Sequence, residues 1–295
     1  MNLHEKTFRI FHMTTRTLLS RISTALCIIM LGFVFTACEE VIDPDGLPYV
    51  ERLVVDAMLS PDIPADSIYI TRTLPLSAKY DRSKAVLTDV TGYVESEGRQ
   101  YPLVHVDSSR YAATGLIPES GKRYRLVAQW RGKNIQAETT IPFKPEVDTV
   151  ILRKGRDRSG SNDWHYDTLT AVVHPRGAEV YAMEARTHYS GSDGFEVIDL
   201  DYDDVIARAS DVEQDGKVHL IYSSYQIFVV DPMFPRTNQA VVYAFDTPFY
   251  DYYFSITDDN DGEGAFSSGT RPIYWNIEGD GIGVFMGRAI TVVEI

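Results

Sequence analysis

Cysteine is nearly missing from this chain: Cys27 and Cys38 are the only two in 295 residues, and both lie near the N-terminus. That excludes a disulfide framework and a cysteine-rich zinc site. Cations are scarce too, with 28 Lys+Arg against 42 Asp+Glu for a formal charge of −14. A chain of that sign lacks the cationic face that a nucleic-acid backbone requires, so nucleic acid is not an expected partner. Three enzyme signatures are absent: the Gly-x-Ser-x-Gly elbow (Gly191-Ser192-Asp193-Gly194 has the wrong spacing), His-Glu-x-x-His, and Gly-x-x-x-x-Gly-Lys-Ser/Thr. What is there is ordinary globular material. Hydrophobic residues make up 44% and charged residues 24%, values that exclude a disordered or collagen-like chain. The length allows one large or two smaller domains, each able to bury a core.

The N-terminus reads as an address. Arg9, Arg16 and Arg21 precede an uncharged apolar stretch, Ile22 to Ala37, that ends at Phe35-Thr36-Ala37-Cys38. The run is shorter than the ~20 residues of a spanning helix and suits a signal-peptide core. Small residues before a cysteine resemble a bacterial lipobox, although Phe35 stands where leucine is commoner. Residues 1–37 are therefore expected to be a lipoprotein signal peptide, with Met13 as good a start as Met1. Cys38 is the expected lipidation site, where two acyl chains make attachment durable at about 0.8 kcal/mol per buried methylene. The plainer alternative is an uncleaved anchor with an incidental cysteine. Removing the leader takes away four basic residues and one acidic residue, leaving 24 basic against 41 acidic groups, or −17. Residues 38–50, opening Glu39-Glu40-Val41-Ile42-Asp43-Pro44-Asp45-Gly46, have little to bury and read as an acidic tether.

From Leu53 onward short β-like runs alternate with turns. Leu53–Leu59, Ser67–Thr73, Thr88–Glu95, Tyr101–Val106, Lys122–Trp130 and Lys133–Ile141 follow one another, with Tyr124, Leu126, Ala128 and Trp130 on one face and a hairpin turn at Trp130–Asn134. This predicts an immunoglobulin-like β-sandwich over 51–143. Pro142-Phe143-Lys144-Pro145 reads as a stiff linker. Runs at Val147–Leu152, Asp167–Val173, Val180–Thr187, Val218–Val230, Ala240–Phe245, Pro272–Ile277 and Gly283–Glu294 predict a mainly-β domain over 146–295. Phe249, Tyr252, Tyr253 and Ile256 have helical spacing, so Phe249–Thr257 is expected to be its one short helix rather than an aromatic strand. The fold class is all-β. No internal repeat stands out.

Cys38-Glu39-Glu40-Val41-Ile42-Asp43, then Leu53-Val54-Val55-Asp56-Ala57, then Gly121-Lys122-Arg123-Tyr124-Arg125-Leu126 leading into Ala137-Glu138-Thr139-Thr140-Ile141-Pro142, together resemble the Bacteroidetes lipoprotein family catalogued as domain of unknown function 4249. The stretch Asn276-Ile277-Glu278-Gly279-Asp280-Gly281-Ile282-Gly283-Val284-Phe285 is similar to that family's closing segment, with Asp280 between its paired glycines. The resemblance spans essentially the whole mature chain. It implies a lipid-anchored outer-membrane protein displayed at the cell surface and associated with a TonB-dependent transporter; it carries over no catalytic residue.

Chemistry-bearing residues are few. The five histidines of the mature chain, His105, His165, His174, His188 and His219, are scattered and read as ordinary imidazoles. Thr257-Asp258-Asp259-Asn260-Asp261-Gly262-Glu263-Gly264 packs oxygen ligands on a glycine-turned loop, so Asp259, Asp261 and Glu263 are candidate calcium ligands, although the EF-hand spacing fails at both ends. The plainer reading is a solvated acidic loop. Asp199, Asp201, Asp203 and Asp204 form a second acidic cluster that reads as a charged edge or loop. Among the 12% aromatic residues, Tyr250, Tyr252, Tyr253, Tyr274 and Trp275 are a candidate stacking platform for sugars or peptides, with core packing as the plainer alternative. The expected role is a non-enzymatic binding or accessory lipoprotein with no cofactor other than calcium. An adhesin or envelope-structural protein and a carboxylate-based hydrolase stay open as alternatives. Calcium binding predicts a higher melting temperature in calcium than in chelator; coincident melting curves exclude it.

Overall fold

A computed structural model describes residues 49–77, 79, 81–155, 166–189, 195–198, 205–224, 227, 236–257 and 272–295. The leader, Cys38, the tether as far as residue 48, the Asp199–Asp204 edge, and Asp259, Asp261 and Glu263 lie outside these residues. Val50–Ile295 forms one compact unit.

The alternation Leu53, Val55, Ala57, Leu59 buries one face of β1 (Leu53–Leu59), and Ile68 and Ile70 do the same for β2 (Ile68–Arg72). After the short α1 (Arg82–Ala85), capped by the Asp81 carboxylate accepting from Ser83 N at 3.0 Å, come β3 (Thr91–Ser96), β4 (Arg99–Asp107), β5 (Arg110–Ala113), β6 (Arg123–Trp130) and β7 (Lys133–Thr140). Strands β1, β2 and β5 form one layer and β3, β6 and β7 the other. Strand β4 passes between them, pairing through Arg99–Pro102 with β3 and through Leu103–Asp107 with β5. Both layers feed one core, in which the predicted face Tyr124, Leu126, Ala128, Trp130 is buried. This is the immunoglobulin-like sandwich the alternation predicts.

The pattern then recurs. Strands β8 (Glu146–Arg153), β9 (Asp167–His174), β10 (Val180–Tyr189), β11 (Phe195–Ile198), β12 (Ile206–Arg208), β13 (Val218–Ser224) and β14 (Arg236–Phe245) lead to helix α2 (Thr247–Thr257), a two-residue β15 (Glu278–Gly279) and the long β16 (Gly281–Glu294). Strands β8, β9 and β13 form a sheet whose buried residues share a second core with those of β10 and β14. The order of connection repeats that of the first sandwich: the first, second and fifth strands on one side; the fourth, third, sixth and last on the other. The fourth place is filled twice, by β11 and β12 against different stretches of β10. The helix at Thr247–Thr257 is the one expected. Of the strand expected over Val218–Val230 the structure describes Val218–Ser224 as β13, and the rest except Ile227 lies outside the described residues; Pro272–Ile277 is not a strand at all.

In place of a ladder, Asn276 fastens that last stretch. Its Oδ1 accepts from Phe285 N at 2.9 Å, while its Nδ2 donates to Phe285 O at 2.6 Å and to Glu138 O at 3.1 Å. Strand β16 then serves both sandwiches. Gly281–Gly287 runs parallel to β1, and Arg288–Glu294 runs antiparallel to β14. Gly283 sits at φ +107° with the Val55 carbonyl oxygen only 2.0 Å from where a Cβ would stand. Only glycine fits there.

Two further devices join the sandwiches. The Phe143 ring lies against Gly121 and Gly177, each 2.9 Å from it if given a Cβ, and the Arg176 guanidinium covers the ring at 4.5 Å. Beside it are two matched corners. The Tyr124 hydroxyl accepts from Glu119 N at 2.8 Å, and the Tyr181 hydroxyl from Arg176 N at 2.7 Å, each bond reaching five residues back. The second device is Asp246, a buried carboxylate between β14 and α2. One oxygen accepts from Gly287 N at 3.0 Å and from the Thr139 hydroxyl; the other accepts from Phe249 N at 3.3 Å and so caps the helix. Pro248 has no N–H to offer, so the cap falls on the next residue. Burial pushes the Asp246 carboxyl up to about 6 despite these three donors.

Gly283→Ala is expected to lower stability by more than about 2 kcal/mol. Gly98→Ala shares a positive φ but meets nothing within 4 Å, and should cost only about 1 kcal/mol. Equal losses in urea unfolding would overturn the clash argument. For Asp246 the folded carboxyl keeps its proton to a higher pH than the unfolded one. Stability should therefore fall as pH rises from about 4 to about 6 and level off above, by on the order of 3 kcal/mol. Asp246→Asn should lose that component of the slope, and unfolding curves with the same pH dependence in both proteins would exclude it.

Candidate functional site

Strands β10 and β14 are apolar on both faces. The inner face enters the second core, and the outer face carries Val180, Ala182, Val241, Tyr243 and Phe245 as a separate cluster. Helix α2 packs on that outer face through Phe249, Tyr250 and Phe254, with Met58, Ile206 and Ile290 at the margins. The rings form a continuous row: Tyr243 to Phe245 at 5.8 Å, Phe245 to Phe249 at 3.7 Å, and Phe249 to Tyr253 at 5.6 Å, all within 16° of parallel. Tyr250 and Phe254 lie 4.7 Å apart, and the Arg208 guanidinium stands 5.2 and 5.1 Å from them, a cation on two ring faces.

The five aromatic residues singled out from the sequence divide here. Tyr250 and Tyr253 turn into the ring row and are half-buried. Tyr252 meets Trp275 at 5.9 Å, and the segment bearing Tyr274 and Trp275 is fixed to the helix by Tyr274 N donating to Ser255 Oγ at 3.0 Å. Tyr274 is 58% exposed, Trp275 36%, and Ile256 and Ile273 43% each. These four side chains and Tyr252 make an apolar ridge on the helix's outer side.

Farther along the same sheet face is a polar cluster that the sequence reading misses. Buried Glu184 accepts from the Tyr243 hydroxyl at 2.9 Å through one oxygen and from Arg186 Nε through the other. Arg186 also donates to the Tyr243 oxygen, at 2.8 Å. Burial, and then the Glu184 carboxylate, push the Tyr243 phenol up to about 12. Burial pulls the Arg186 guanidinium down, but Glu184 and Tyr243 outweigh it and hold it above its ordinary value. Arg288 of β16 lies over the Tyr243 ring at 5.9 Å, and its Nε donates to Ser60 Oγ at 3.4 Å. The available signal was Tyr181-Ala182-Met183-Glu184-Ala185-Arg186: two charges inside a strand that is otherwise apolar on both faces.

Elsewhere the titratable groups are engaged locally. His105 bonds Ser108 O at 2.9 Å, and His219 bonds Asp215 at 3.0 Å. Among the described residues no three of His, Cys, Asp and Glu are placed to hold a metal ion, and no helix is long and apolar enough to cross a membrane.

No curated protein matches the chain. Among solved structures, a segment of two fibronectin type-III domains from chicken tenascin is similar at 13% identity, covering 65% of this chain and 88% of its own, with a TM-score of 0.19. That score is too low to bear on strand arrangement, which rests on the pairing described above. The family model described as a domain of unknown function, DUF4249, matches residues 39–292, so the chain belongs to that family.

Proposed function

We propose that this protein is a lipid-anchored component of the outer-membrane surface that binds a partner rather than transforming a substrate, and that the partner is a TonB-dependent nutrient transporter. The observation that carries the reading is the ridge of exposed Ile256, Ile273, Tyr274 and Trp275, with half-buried Tyr252 against Trp275. Grouped apolar side chains on a strongly acidic surface mark a contact site, because solvent-facing hydrophobes of this size otherwise stay scattered. Trp and Tyr supply large contact area at little entropic cost, which makes Trp275 and Tyr274 the expected anchors. Acyl chains on Cys38 would confine the protein to the transporter's membrane and raise its effective concentration there, so that a modest contact suffices. In this reading the first sandwich is a spacer and docking module, and the second carries recognition. The net negative charge keeps polyanionic partners away.

Lipidated protein recovered from its native outer membrane is expected to bring a TonB-dependent transporter with it. Tyr274→Ala combined with Trp275→Ala should lose the transporter without lowering the melting temperature. Cys38→Ser should leave the membrane fraction. Wild-type protein that brings down no transporter, or a double variant that retains it, overturns the proposal.

A further inference from the structure

The Arg288 guanidinium has five N–H donors, and its hydrogen bond in the structure is the 3.4 Å contact to Ser60 Oγ. It is half-buried, and among the described residues no carboxylate lies within salt-bridge distance of it. Glu184, on the same sheet face, is already committed: one oxygen to Arg186 and the other to the Tyr243 hydroxyl. Among the described residues the patch therefore holds two guanidiniums against one carboxylate, a local charge of +1 in a chain whose formal charge is −14. Its surroundings are apolar. Arg288 pairs in register with Phe245, and Met58 and Ile290 belong to the same cluster. Removing a cation from water without a counterion is unfavourable, and an anion seated there would be held more strongly than at an exposed arginine. Burial, with the Arg186 guanidinium nearby, holds Arg288 below its ordinary value, and Tyr243 and Glu184 offset only part of that.

We propose that Arg288, set over the Tyr243 ring that Glu184 and Arg186 hold in place, binds the carboxylate group of a small organic acid. A carboxylate fits for three reasons. Its two oxygens match the planar guanidinium fork. Its single charge balances the +1 of the patch, whereas a phosphate dianion would overshoot and face Glu184. The apolar neighbours Met58, Phe245 and Ile290 favour an anion that carries an apolar body over a fully hydrated one. This site is separate from the transporter-docking ridge and does not depend on it.

Benzoate is the probe, with benzamide as its neutral counterpart and inorganic phosphate as the competing anion, each titrated into the full-length protein at constant ionic strength and followed by calorimetry. Saturable benzoate binding is expected, with benzamide and phosphate at least about tenfold weaker, a difference of about 1.4 kcal/mol. Arg288→Gln should abolish it. Arg288→Lys keeps the charge and most of the packing but loses the fork, and should bind at least about tenfold more weakly. Arg131→Gln, at an exposed arginine, should bind as wild type, as should the Tyr274→Ala and Trp275→Ala double variant, which separates this site from the ridge. Benzoate binding that is absent, unchanged in Arg288→Lys, or matched by benzamide or phosphate overturns the assignment.

Discussion

One backbone ladder decides how the rest is arranged. Strand β16 spends its first half beside β1 and its second half beside β14, so Phe285 is in one core and Ala289 in the next. A short connection between two sandwiches would leave each with its own closing strand and freedom to swing. A single strand with both halves hydrogen-bonded leaves none at that point, because bending it would break ladder bonds on both sides. The cost of that arrangement is borne by glycine. Gly283 is where β16 comes within van der Waals distance of the β1 backbone, and any side chain there would meet the Val55 carbonyl. The closing segment Asn276–Phe285, one of the stretches that carries the family resemblance, is thus architectural: Asn276 ties the loop, Asp280 accepts from Asn134 N at 3.0 Å, and the glycines let two backbones touch.

The junction uses polar groups where an apolar interface would be expected. Asp246 is buried because three donors from three elements converge on it: Thr139 of β7, Gly287 of β16 and Phe249 of α2. Any one of those bonds could be made by water, but together they fix the angle at which α2 leaves the sheet. That angle brings Phe249 onto Phe245 and sets the helix's other side toward solvent. Phe143 acts similarly, its ring held between two glycines and under Arg176. A proline-flanked stretch that reads as a linker is therefore a wedge in the structure.

Much of the sandwich was legible because its strands face water on one side. Tyr124, Leu126, Ala128 and Trp130 alternate with Arg123, Arg125, Val127 and Gln129, and period-two contrast is the strongest β signal available. The helix at Thr247–Thr257 was legible from the spacing of its aromatic residues, which would not share a face in a strand. Four-residue β5 left too little pattern to find. Pro272–Ile277 misled because Ile273, Tyr274, Trp275 and Ile277 are good strand formers, while the choice was made by Asn276 replacing ladder bonds with side-chain bonds. The pairing of Leu53 with Gly281 leaves no local mark, since a parallel contact between distant segments is set by the whole fold. The repeated strand order was invisible for the same reason; its one trace is Pro118 and Pro175, each six residues before a corner tyrosine.

For the site, large aromatic residues could be named because their presence in any environment calls for explanation. Glu184, Arg186 and Arg288 could not, because charged residues at alternating strand positions ordinarily mean a solvated face. Here the Tyr243 side chain and the neighbouring strands take the charges partly out of water, beside the stretch of that face that helix α2 covers. The consequence runs from packing to chemistry. A helix angled by one buried carboxylate covers part of an outer sheet surface, and next to that stretch stands Arg288, half-buried and, among the described residues, with no carboxylate within salt-bridge distance, the basis of the anion site proposed above. The same helix turns Tyr252 and Ile256 outward next to Tyr274 and Trp275. A single structural decision at Asp246 thus places a sheltered cation on one side of α2 and an exposed apolar ridge on the other, two surfaces of opposite character held in fixed register by the strand that both sandwiches share.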